Sequence, residues 1–267
     1  MEKRYCDTLI LSDLHLGSET SRARDALRML KRFYFQRLVL LGDIFCDLNF
    51  ARLKKEHWRF LSHIRKLSNP KRGVEVVWVE GNHDHGLSAV MSHLVGVRVY
   101  QEYAWNYEGK RHLAIHGHQF DGFVINNVAL CRWGTSAYLQ LQKLDSRGNF
   151  LARLIDRLNT RWLRLSPKVA SGAIARAREL GAARVFCGHT HEAMHALCDG
   201  IEYFNTGSWT GERATVVTID AKGVEIHDYE LEADDRDSSE ERGQAATAAL
   251  GFPRTAGLLS GYEGLRS

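Results

Sequence analysis

The sequence predicts an α/β fold in which two mixed β-sheets pack together and are covered by helices. In the amino-terminal part, apolar β-branched runs alternate with segments of helical periodicity, which is typical of parallel strands joined by helices. After Val97 the pattern changes to short strands separated by turn residues, which is typical of antiparallel hairpins. The chain has 267 residues and is 44% hydrophobic, so it has enough apolar surface for a substantial core.

The parallel part of this fold is expected at the start of the chain. Three apolar runs predict its strands, at Leu9–Ser12, Leu38–Leu41 and Val76–Val79. Helical periodicity predicts helices over Thr20–Phe35 and Phe50–Leu67, with a shorter helix after Asp84. The order strand, helix, strand indicates a parallel sheet with helices on its face.

The antiparallel part is expected to follow. A hairpin is predicted between Val97–Tyr107 and Arg111–His116, across the turn at 108–110. One further apolar strand is predicted at Val185–Cys187. A closing meander is predicted from three runs, at Gly200–Thr206, Ala214–Asp220 and Val224–Tyr229.

A helical stretch of about 65 residues interrupts the strand series and predicts a cap inserted over the site, at about 120–182. Its apolar residues fall on one helical face, at Leu151, Leu154, Ile155, Leu158 and Trp162. Its arginines fall on the opposite face, at Arg153, Arg157, Arg161 and Arg164. Two interpretations stay open: a helix packed on the core with a solvated basic face, or a helix that contacts anionic lipid or phosphate. In the second, Arg147, Arg153 and Arg157 are candidate substrate contacts.

The charge distribution separates two regions of the chain. The net charge of +4 is too small to indicate nucleic-acid binding, and no nucleic-acid partner is expected. The segment Leu130–Lys168 nevertheless has eight basic residues against two acidic ones. The end of the chain is acidic and then rich in Ala and Gly, which predicts a flexible tail over 234–267 after a domain over 1–233.

Cysteine usage and hydropathy bear on location. The five cysteines are odd in number and show no CxxC spacing, which favours a reducing, cytoplasmic setting. No leader is recognisable near Met1, and no run approaches the roughly 18 apolar residues of a membrane span. The sequence also leaves open a peripheral contact of the basic helix with the anionic inner membrane.

Five short polar clusters follow predicted strands. They are Asp13-Leu14-His15, Gly42-Asp43, Gly81-Asn82-His83-Asp84, His116-Gly117-His118 and Gly188-His189-Thr190-His191. Open α/β sheets place their binding residues at the carboxyl ends of strands, so these clusters are expected to form one site. In isolation Asp43 fits a helix cap and His116 a core histidine, but the joint recurrence favours a functional site.

These residue types suit two divalent metal ions that hydrolyse a phosphoester. The phosphoryl oxygens repel a nucleophile, and two ions about 3.5–4 Å apart neutralise that charge and provide a bridging hydroxide for in-line attack. Such a pair requires a bridging carboxylate, neutral imidazoles and oxygen donors. Asp43 is the expected bridge. The other expected ligands are Asp13, His15, Asn82, His116, His189 and His191.

Two further histidines have other expected roles. His83 is placed to act on the substrate, where it would stabilise developing charge or protonate the leaving oxygen. His118 fits a contact to a metal ligand, a substrate contact or a structural residue, and its spacing does not decide among these.

In order and spacing, these five clusters resemble the pattern DxH, GD, GNH(D/E), HG(H/D) and GHxH of the calcineurin-like metallophosphoesterases, over about the first 230 residues. The resemblance implies a four-layer sandwich of two mixed sheets between helices. It implies that Asp13, His15 and His191 hold one ion, that Asn82, His116 and His189 hold the other, and that Asp43 bridges. His83 is implied to be the catalytic histidine, and manganese to be the usual ion, although iron, zinc or cobalt would suit the same ligands.

Within that family, the helical insertion and the run 203–209 are similar to UDP-2,3-diacylglucosamine diphosphatases, which act in lipid A synthesis. The implied substrate is UDP-2,3-diacylglucosamine or a similar nucleotide-diphospho-lipid. Those enzymes have arginine where this chain has His83 and an acidic residue where it has His118. The alternative is therefore a soluble phosphodiesterase or phosphatase that acts on nucleotides or phosphoproteins.

The second cluster also departs from the family pattern. Many members have a carboxylate three residues after the bridging aspartate, where it orients the catalytic histidine, and this chain has Cys46 there. Asp47 and Asp84 are the alternatives for that orienting role, so Asp84 joins His83 and Asp43 among the expected catalytic residues.

Overall fold

The computed structural model describes residues 3–86, 91, 93, 96–121, 166–211 and 213–229. The chain divides into two units after Glu230, and every described residue belongs to the first unit. The predicted tail lies outside the described residues, and so does most of the predicted insertion. The basic amphipathic helix and the candidate contacts Arg147, Arg153 and Arg157 are therefore still predictions from the sequence.

The first sheet has six strands. They are β1 (Arg4–Leu11), β2 (Phe33–Leu41), β3 (Glu75–Val79), β4 (Val99–Tyr100), β10 (Ala214–Asp220) and β11 (Gly223–Tyr229). Their order is β11-β10-β1-β2-β3-β4. Strands β1 to β4 are parallel, and β10 and β11 add an antiparallel hairpin beside β1.

The second sheet has five strands. They are β5 (Glu102–Tyr107), β6 (Lys110–Ile115), β7 (Arg184–Cys187), β8 (Met194–Cys198) and β9 (Ile201–Asn205). Their order is β5-β6-β7-β9-β8. The three central strands are parallel, and each edge strand is antiparallel to its neighbour.

Helices cover the outer face of each sheet. Helices α1 (Ala23–Leu30) and α2 (Lys55–Leu67) pack on the first sheet, and α3 (Ser166–Glu179) packs on the second. A separate apolar cluster, which includes Ile10 and Phe186, joins the inner faces of the two sheets. Each such buried side chain contributes about 1.5–3 kcal/mol of transfer free energy. The predicted α/β fold, a four-layer α-β-β-α sandwich of two mixed sheets, is confirmed.

The described end of the predicted insertion belongs to this sandwich. Helix α3 places Ala173, Ile174 and Ala177 against apolar residues of the second sheet, including Val185 and Tyr203. The two small alanine side chains allow the helix to lie close to the sheet. Residues 166–182 therefore form an outer layer of the fold. Among the described helices, none has both the length and the apolar character that crossing a membrane requires.

Three predicted boundaries differ from the structure. The first helix ends at Leu30, because Phe33 already pairs with Arg4 as the start of β2. The segment predicted as one hairpin arm divides after Tyr100, whose partner Val79 is in the first sheet. The predicted closing meander also divides, since β9 pairs with β7 and β8 in the second sheet. Strand partners depend on tertiary packing, which the local pattern does not record.

Candidate metal centre

The five polar clusters meet at one edge of the sandwich. Each follows the carboxyl end of a strand that has at least one parallel neighbour, namely β1, β2 and β3 in one sheet and β6 and β7 in the other. Backbone hydrogen bonds tie the loops together. The amide of Asp13 donates to the carbonyl of Gly42 at 3.0 Å, and the amide of His15 donates to the carbonyl of Asp43 at 3.0 Å.

The first group of candidate ligands consists of Asp13, His15 and His191, whose ligand atoms lie within 4.8 Å of one another. His191 Nε2 lies 3.0 Å from Asp13 Oδ1, and His15 Nε2 lies 3.1 Å from His191 Nε2. The other carboxylate oxygen, Oδ2, accepts hydrogen bonds from the Ser12 hydroxyl at 2.5 Å and from the His189 amide at 3.0 Å. The two oxygens thus have separate surroundings, and Oδ1 is the one that faces the imidazoles.

The second group consists of Asp43, His116 and His189, with ligand atoms again within 4.8 Å of one another. His116 Nδ1 donates to the carbonyl of Leu41 at 2.9 Å. When the ring is neutral, that bond leaves the lone pair on Nε2, which lies 3.2 Å from Asp43 Oδ2. The neutral ring is therefore oriented, and in the right tautomer, to bind an ion beside Asp43.

Asp43 also belongs to a third group, with His15 and His83. His83 Nε2 lies 4.0 Å from Asp43 Oδ2, while Oδ1 of the same carboxylate accepts the His83 amide at 2.9 Å. Asp43 thus lies close to His116 and His189 and also to His15 of the first group, which is the position that a bridging carboxylate would occupy.

Three buried acceptors fit a cation. Asp13 Oδ1, Asn82 Oδ1 and His116 Nε2 make no well-aligned hydrogen bond in the part of the chain that the structure describes, although His191 lies close to the first atom and Asp43 to the third. A buried polar atom without a partner costs about 1–3 kcal/mol. Carboxylate, amide and imidazole ligands of this kind suit manganese, iron, zinc or cobalt. The donor set therefore fits two divalent ions, although the assignment of individual ligands remains a prediction.

The backbone at the site is strained. Seven described non-glycine residues have positive φ, and five of them are candidate ligands: Asp13, His15, Asp43, His189 and His191. Such conformations cost of order 1–3 kcal/mol each and persist where the surroundings impose them. Their concentration among the candidate ligands indicates that the fold holds these side chains in place.

Two glycines in the clusters are required by close approach. A Cβ on Gly81 would overlap Asp43 Oδ1, and a Cβ on Gly188 would overlap Asp13 Oδ2 and the Ser12 hydroxyl. In both places a carboxylate lies directly against backbone. This contact explains why the motifs place glycine immediately before Asn82 and His189.

The carboxylates and histidines of the site shift one another's pKa values. Burial disfavours ionisation of Asp13 and Asp43, but the neighbouring histidines outweigh it and hold the pKa of each carboxyl well below its usual range. Burial lowers the pKa of His116, whereas the charge of Asp43 outweighs this effect and raises that pKa to about 9. His116 thus carries a proton that a bound cation would replace. Burial lowers the pKa of His15.

The expected catalytic residues have well-defined partners. His83 Nδ1 lies 2.8 Å from the main-chain carbonyl of Cys46, to which it donates. Asp84 instead accepts the amides of Ile44 at 3.0 Å and Phe45 at 2.8 Å. Asp84 therefore supports the loop that carries Asp43, and within the described part of the chain its carboxylate accepts from that loop and from the Trp78 indole rather than from His83.

Asp47, the second alternative for orienting His83, has other partners too. Its carboxylate accepts from the Asn49 amide at 3.0 Å and from the Arg52 guanidinium at 3.0 Å. Among the described residues the hydrogen-bond partner of His83 Nδ1 is thus a backbone carbonyl, in place of the expected carboxylate.

His118 lies beside the second group. Its ring centroid is 5.5 Å from that of His116 and 6.4 Å from that of His189. Burial, together with the nearby His116, lowers the pKa of His118 to about 3, so the ring is neutral at physiological pH. His118 is not a member of the three ligand groups found among the described residues. A substrate contact stays a prediction for this residue.

Two sets of supporting residues were not expected from the sequence. Asp121 Oδ2 lies 3.1 Å from His189 Nε2, and the carboxylate is buried. Ser12 donates to Asp13 and lies 2.6 Å from the Thr206 hydroxyl. Asp121 lies three residues beyond His118, after a short 3₁₀ turn, so the pattern of polar residues directly after strands does not mark it. Thr206 follows β9, whose place in the second sheet was not predicted.

Comparison with known proteins identifies the family. Residues 7–193 match calcineurin-like phosphoesterase, a range that includes all five clusters. Among solved structures, an archaeal phosphodiesterase is 14% identical, with 84% of this chain and 99% of that chain covered and a TM-score of 0.45. YfcE, a phosphoesterase from E. coli, is 17% identical, with coverages of 80% and 88% and a TM-score of 0.46. Zinc-bound Vps29 from Entamoeba histolytica is 15% identical, with coverages of 85% and 94% and a TM-score of 0.43.

No curated protein was found to match the sequence. The family match nevertheless spans well over half of the chain and contains every candidate ligand from Asp13 to His191. The chain belongs to the calcineurin-like phosphoesterases and is a metal-dependent phosphoesterase.

Proposed function

We propose that this protein hydrolyses phosphoester bonds with two divalent ions held side by side at Asp43. The observation that carries the proposal is the position of Asp43, which shares one ligand group with His116 and His189 and another with His15 and His83. When bound, two divalent ions would lower the pKa of a water molecule and neutralise the charge of the phosphoryl oxygens.

The arrangement supports a division of ligands between two positions. Asp13, His15 and His191 would hold one ion, and Asn82, His116 and His189 the other, with Asp43 shared. All seven side chains offer nitrogen or carboxylate or amide oxygen, and the set would accept manganese as well as iron, zinc or cobalt.

His83 would act on the substrate. Its Nδ1 proton is donated to the Cys46 carbonyl, so the second nitrogen, Nε2, is the one that lies on the Asp43 side. With a proton on Nε2 as well, the cationic ring would hydrogen-bond a phosphoryl oxygen from there or give that proton to the leaving oxygen. The ring is partly exposed, as a group that meets a substrate must be.

For the physiological substrate we propose a nucleotide-diphospho-lipid such as UDP-2,3-diacylglucosamine. The support is the sequence between the fourth and fifth clusters, where an arginine face and an apolar face alternate at helical spacing. Arginines suit a diphosphate, and the apolar face suits acyl chains or a peripheral contact with an anionic membrane. The retained His83 supports the second candidate, a soluble phosphodiesterase or phosphatase acting on nucleotides or phosphoproteins.

The test is manganese-dependent turnover of UDP-2,3-diacylglucosamine in mixed vesicles and of bis(p-nitrophenyl) phosphate. Native protein is compared with Asp43→Ala and with Asp228→Ala, a matched control at an exposed position on β11. Turnover of both substrates, lost in Asp43→Ala and kept in Asp228→Ala, would support both parts of the proposal. Turnover of the small diester alone would support the metal site and contradict the lipid substrate. Equal activity of Asp43→Ala and native protein would contradict the two-ion site.

A further inference from the structure

Asp121 and His189 form a buried pair beside the second ligand group. Asp121 Oδ2 lies 3.1 Å from His189 Nε2, and the two residues are 3% and 4% exposed. His189 is the candidate ligand that stands next to Asp43 and His116. The carboxylate therefore occupies Nε2 of the imidazole, which leaves Nδ1 as the nitrogen available to a metal ion.

The fold fixes the position of Asp121. After β6 the chain makes a 3₁₀ turn over His118–Phe120, and the Asp121 amide donates to the His118 carbonyl at 3.1 Å. The Phe120 ring lies directly over Gly172 of α3, where a Cβ would overlap it. The turn is thus held between the sheet and α3, and Asp121 is placed by packing.

The contact determines the tautomer of His189. A hydrogen bond from Nε2–H to an ionised carboxylate leaves the lone pair of the neutral ring on Nδ1. A carboxylate on the far nitrogen also makes an imidazole a stronger ligand, and removal of such a partner typically lowers metal affinity by about 10–100-fold.

We propose that Asp121 is a positioning residue that presents His189 Nδ1 to the ion of the second group and sets the affinity for that ion. The inference rests on the proposed function, because it assumes that His189 is a ligand. It adds to that function a residue outside the five motif clusters.

The effect should be larger for one of the two ions. In the second group, His116 is oriented by a neutral carbonyl, that of Leu41, whereas His189 is oriented by a carboxylate. The first group already contains the charge of Asp13 as a direct candidate ligand, in addition to nearby Asp43. Removal of the Asp121 charge should therefore weaken the ion beside His116 and His189 more than the ion beside His15 and His191.

The experiment measures manganese binding by calorimetry and by electron paramagnetic resonance. Asp121→Asn keeps the shape and an acceptor oxygen but removes the charge, and Asp121→Ala removes both. Asp7→Asn is the control, since Asp7 is a comparably buried carboxylate about 20 Å from Asp13 along β1, from the rise of a strand. We expect about 10–100-fold weaker binding of one of two ions in both Asp121 variants. The signal of a coupled manganese pair should then be replaced by that of a single ion at concentrations that saturate native protein and the Asp7 control.

A second measurement needs no variant at position 121. In the native protein loaded with zinc, nitrogen NMR of the imidazoles should show His189 protonated at Nε2 and coordinated through Nδ1, with His189→Gln used to assign the resonance. Coordination through Nε2 would overturn the inference. So would native affinity for both ions in folded Asp121→Asn.

The Asp43→Ala variant distinguishes failure of the role of Asp121 from failure of the proposed function. If this variant loses ions while Asp121→Asn keeps both at native affinity, the proposed function stands and the role of Asp121 is rejected. If Asp43→Ala also binds two ions at native affinity, the proposed two-ion site itself is rejected.

Discussion

His83 Nδ1 donates to the main-chain carbonyl of Cys46 across 2.8 Å. His83, the expected catalytic histidine, is therefore oriented by the backbone of the loop after β2, at the position where the family resemblance implies a carboxylate side chain. Because the contact uses the carbonyl, the side chain at position 46 is free to vary without loss of this hydrogen bond.

Replacement of Cys46 by Ala should consequently preserve catalysis. The thiol is buried, so we expect a loss of about 1 kcal/mol in unfolding free energy from the small cavity. We expect kcat to stay within about twofold of native, whereas His83→Ala, in the same assay of diester hydrolysis, should lower kcat by about 10²–10⁴. A kcat for Cys46→Ala as low as that of His83→Ala would mean that the side chain, and not the carbonyl, supports the histidine.

Asp84 should stabilise the protein by holding the loop that carries Asp43. Its two oxygens accept the amides of Ile44 and Phe45, and the Trp78 indole donates to Oδ2 at 3.3 Å. In Asp84→Asn an NH₂ group would face one of these donors. We expect the free energy of unfolding in urea to fall by about 1–3 kcal/mol.

The matched control for Asp84 is Asp47→Asn. Asp47 also accepts a main-chain amide and a side-chain donor, but it is only half-buried. Water can replace its lost hydrogen bonds, so its variant should lose less than half as much stability, measured without added metal. Equal losses in the two variants would contradict the argument from burial.

The fold was predictable where local pattern and tertiary structure agree. The apolar runs before Asp13, Asp43 and His116 predict strands because a strand in a sheet that is covered on both faces has apolar residues at successive positions. The assignment of strands to sheets was less predictable. Tyr100 and Glu102 are separated by one residue, yet they pair in different sheets, and no turn residue marks the change.

The candidate ligands were predictable because strand ends place them, whereas the residues that support them were not. Ser12 lies in the predicted first strand and reads as a strand residue, and Asp121 follows a turn that has no periodic signal. The contact of Ser12 with Thr206 and that of Asp121 with His189 join segments far apart in the chain. The orienting partner of His83 is a carbonyl group, which every residue has and which no sequence pattern can indicate.

Thr206 should support Asp13 through Ser12. The Ser12 hydroxyl has one proton, and we assign it to the contact with Asp13 Oδ2 at 2.5 Å, which is shorter than the contact with the Gly207 carbonyl at 3.2 Å. The Thr206 hydroxyl is then the donor in its 2.6 Å contact with Ser12, in preference to the Cys187 carbonyl at 3.2 Å. Thr206→Val keeps the shape but removes this donor, and we expect a loss of about 0.5–1.5 kcal/mol in unfolding free energy. Manganese affinity, measured by calorimetry, should weaken severalfold.

Thr206→Ser is the control, because it keeps the hydroxyl and removes only a methyl group. Its manganese affinity should remain close to native, even if its stability falls. The hydroxyl relay would be refuted if Thr206→Ser lost as much metal affinity as Thr206→Val.

His112 should make stability depend on pH in the acid range. The ring is fully buried, 5.1 Å from the Trp105 ring, and burial lowers the pKa of His112 to about 4 despite its hydrogen bond to the Lys110 carbonyl. An unfolded histidine has a pKa of about 6.5. Between these values the unfolded chain binds a proton that the folded chain does not. The free energy of unfolding should therefore fall as pH drops from about 6.5 to about 4, by about 2–3 kcal/mol from this group.

His112→Phe should remove this part of the pH dependence while the ring packing is kept. The measurement is denaturation in urea at pH 7, 6, 5 and 4.5. As the pH falls, the native protein should lose more unfolding free energy than His112→Phe, because only the native protein has a histidine at this position whose protonation favours the unfolded chain. His195→Phe, at an exposed position on β8, is the control and should keep the native slope. A parallel decline of His112→Phe and native protein over this range would show that His112 takes up its proton without unfolding, and that the acid sensitivity arises elsewhere.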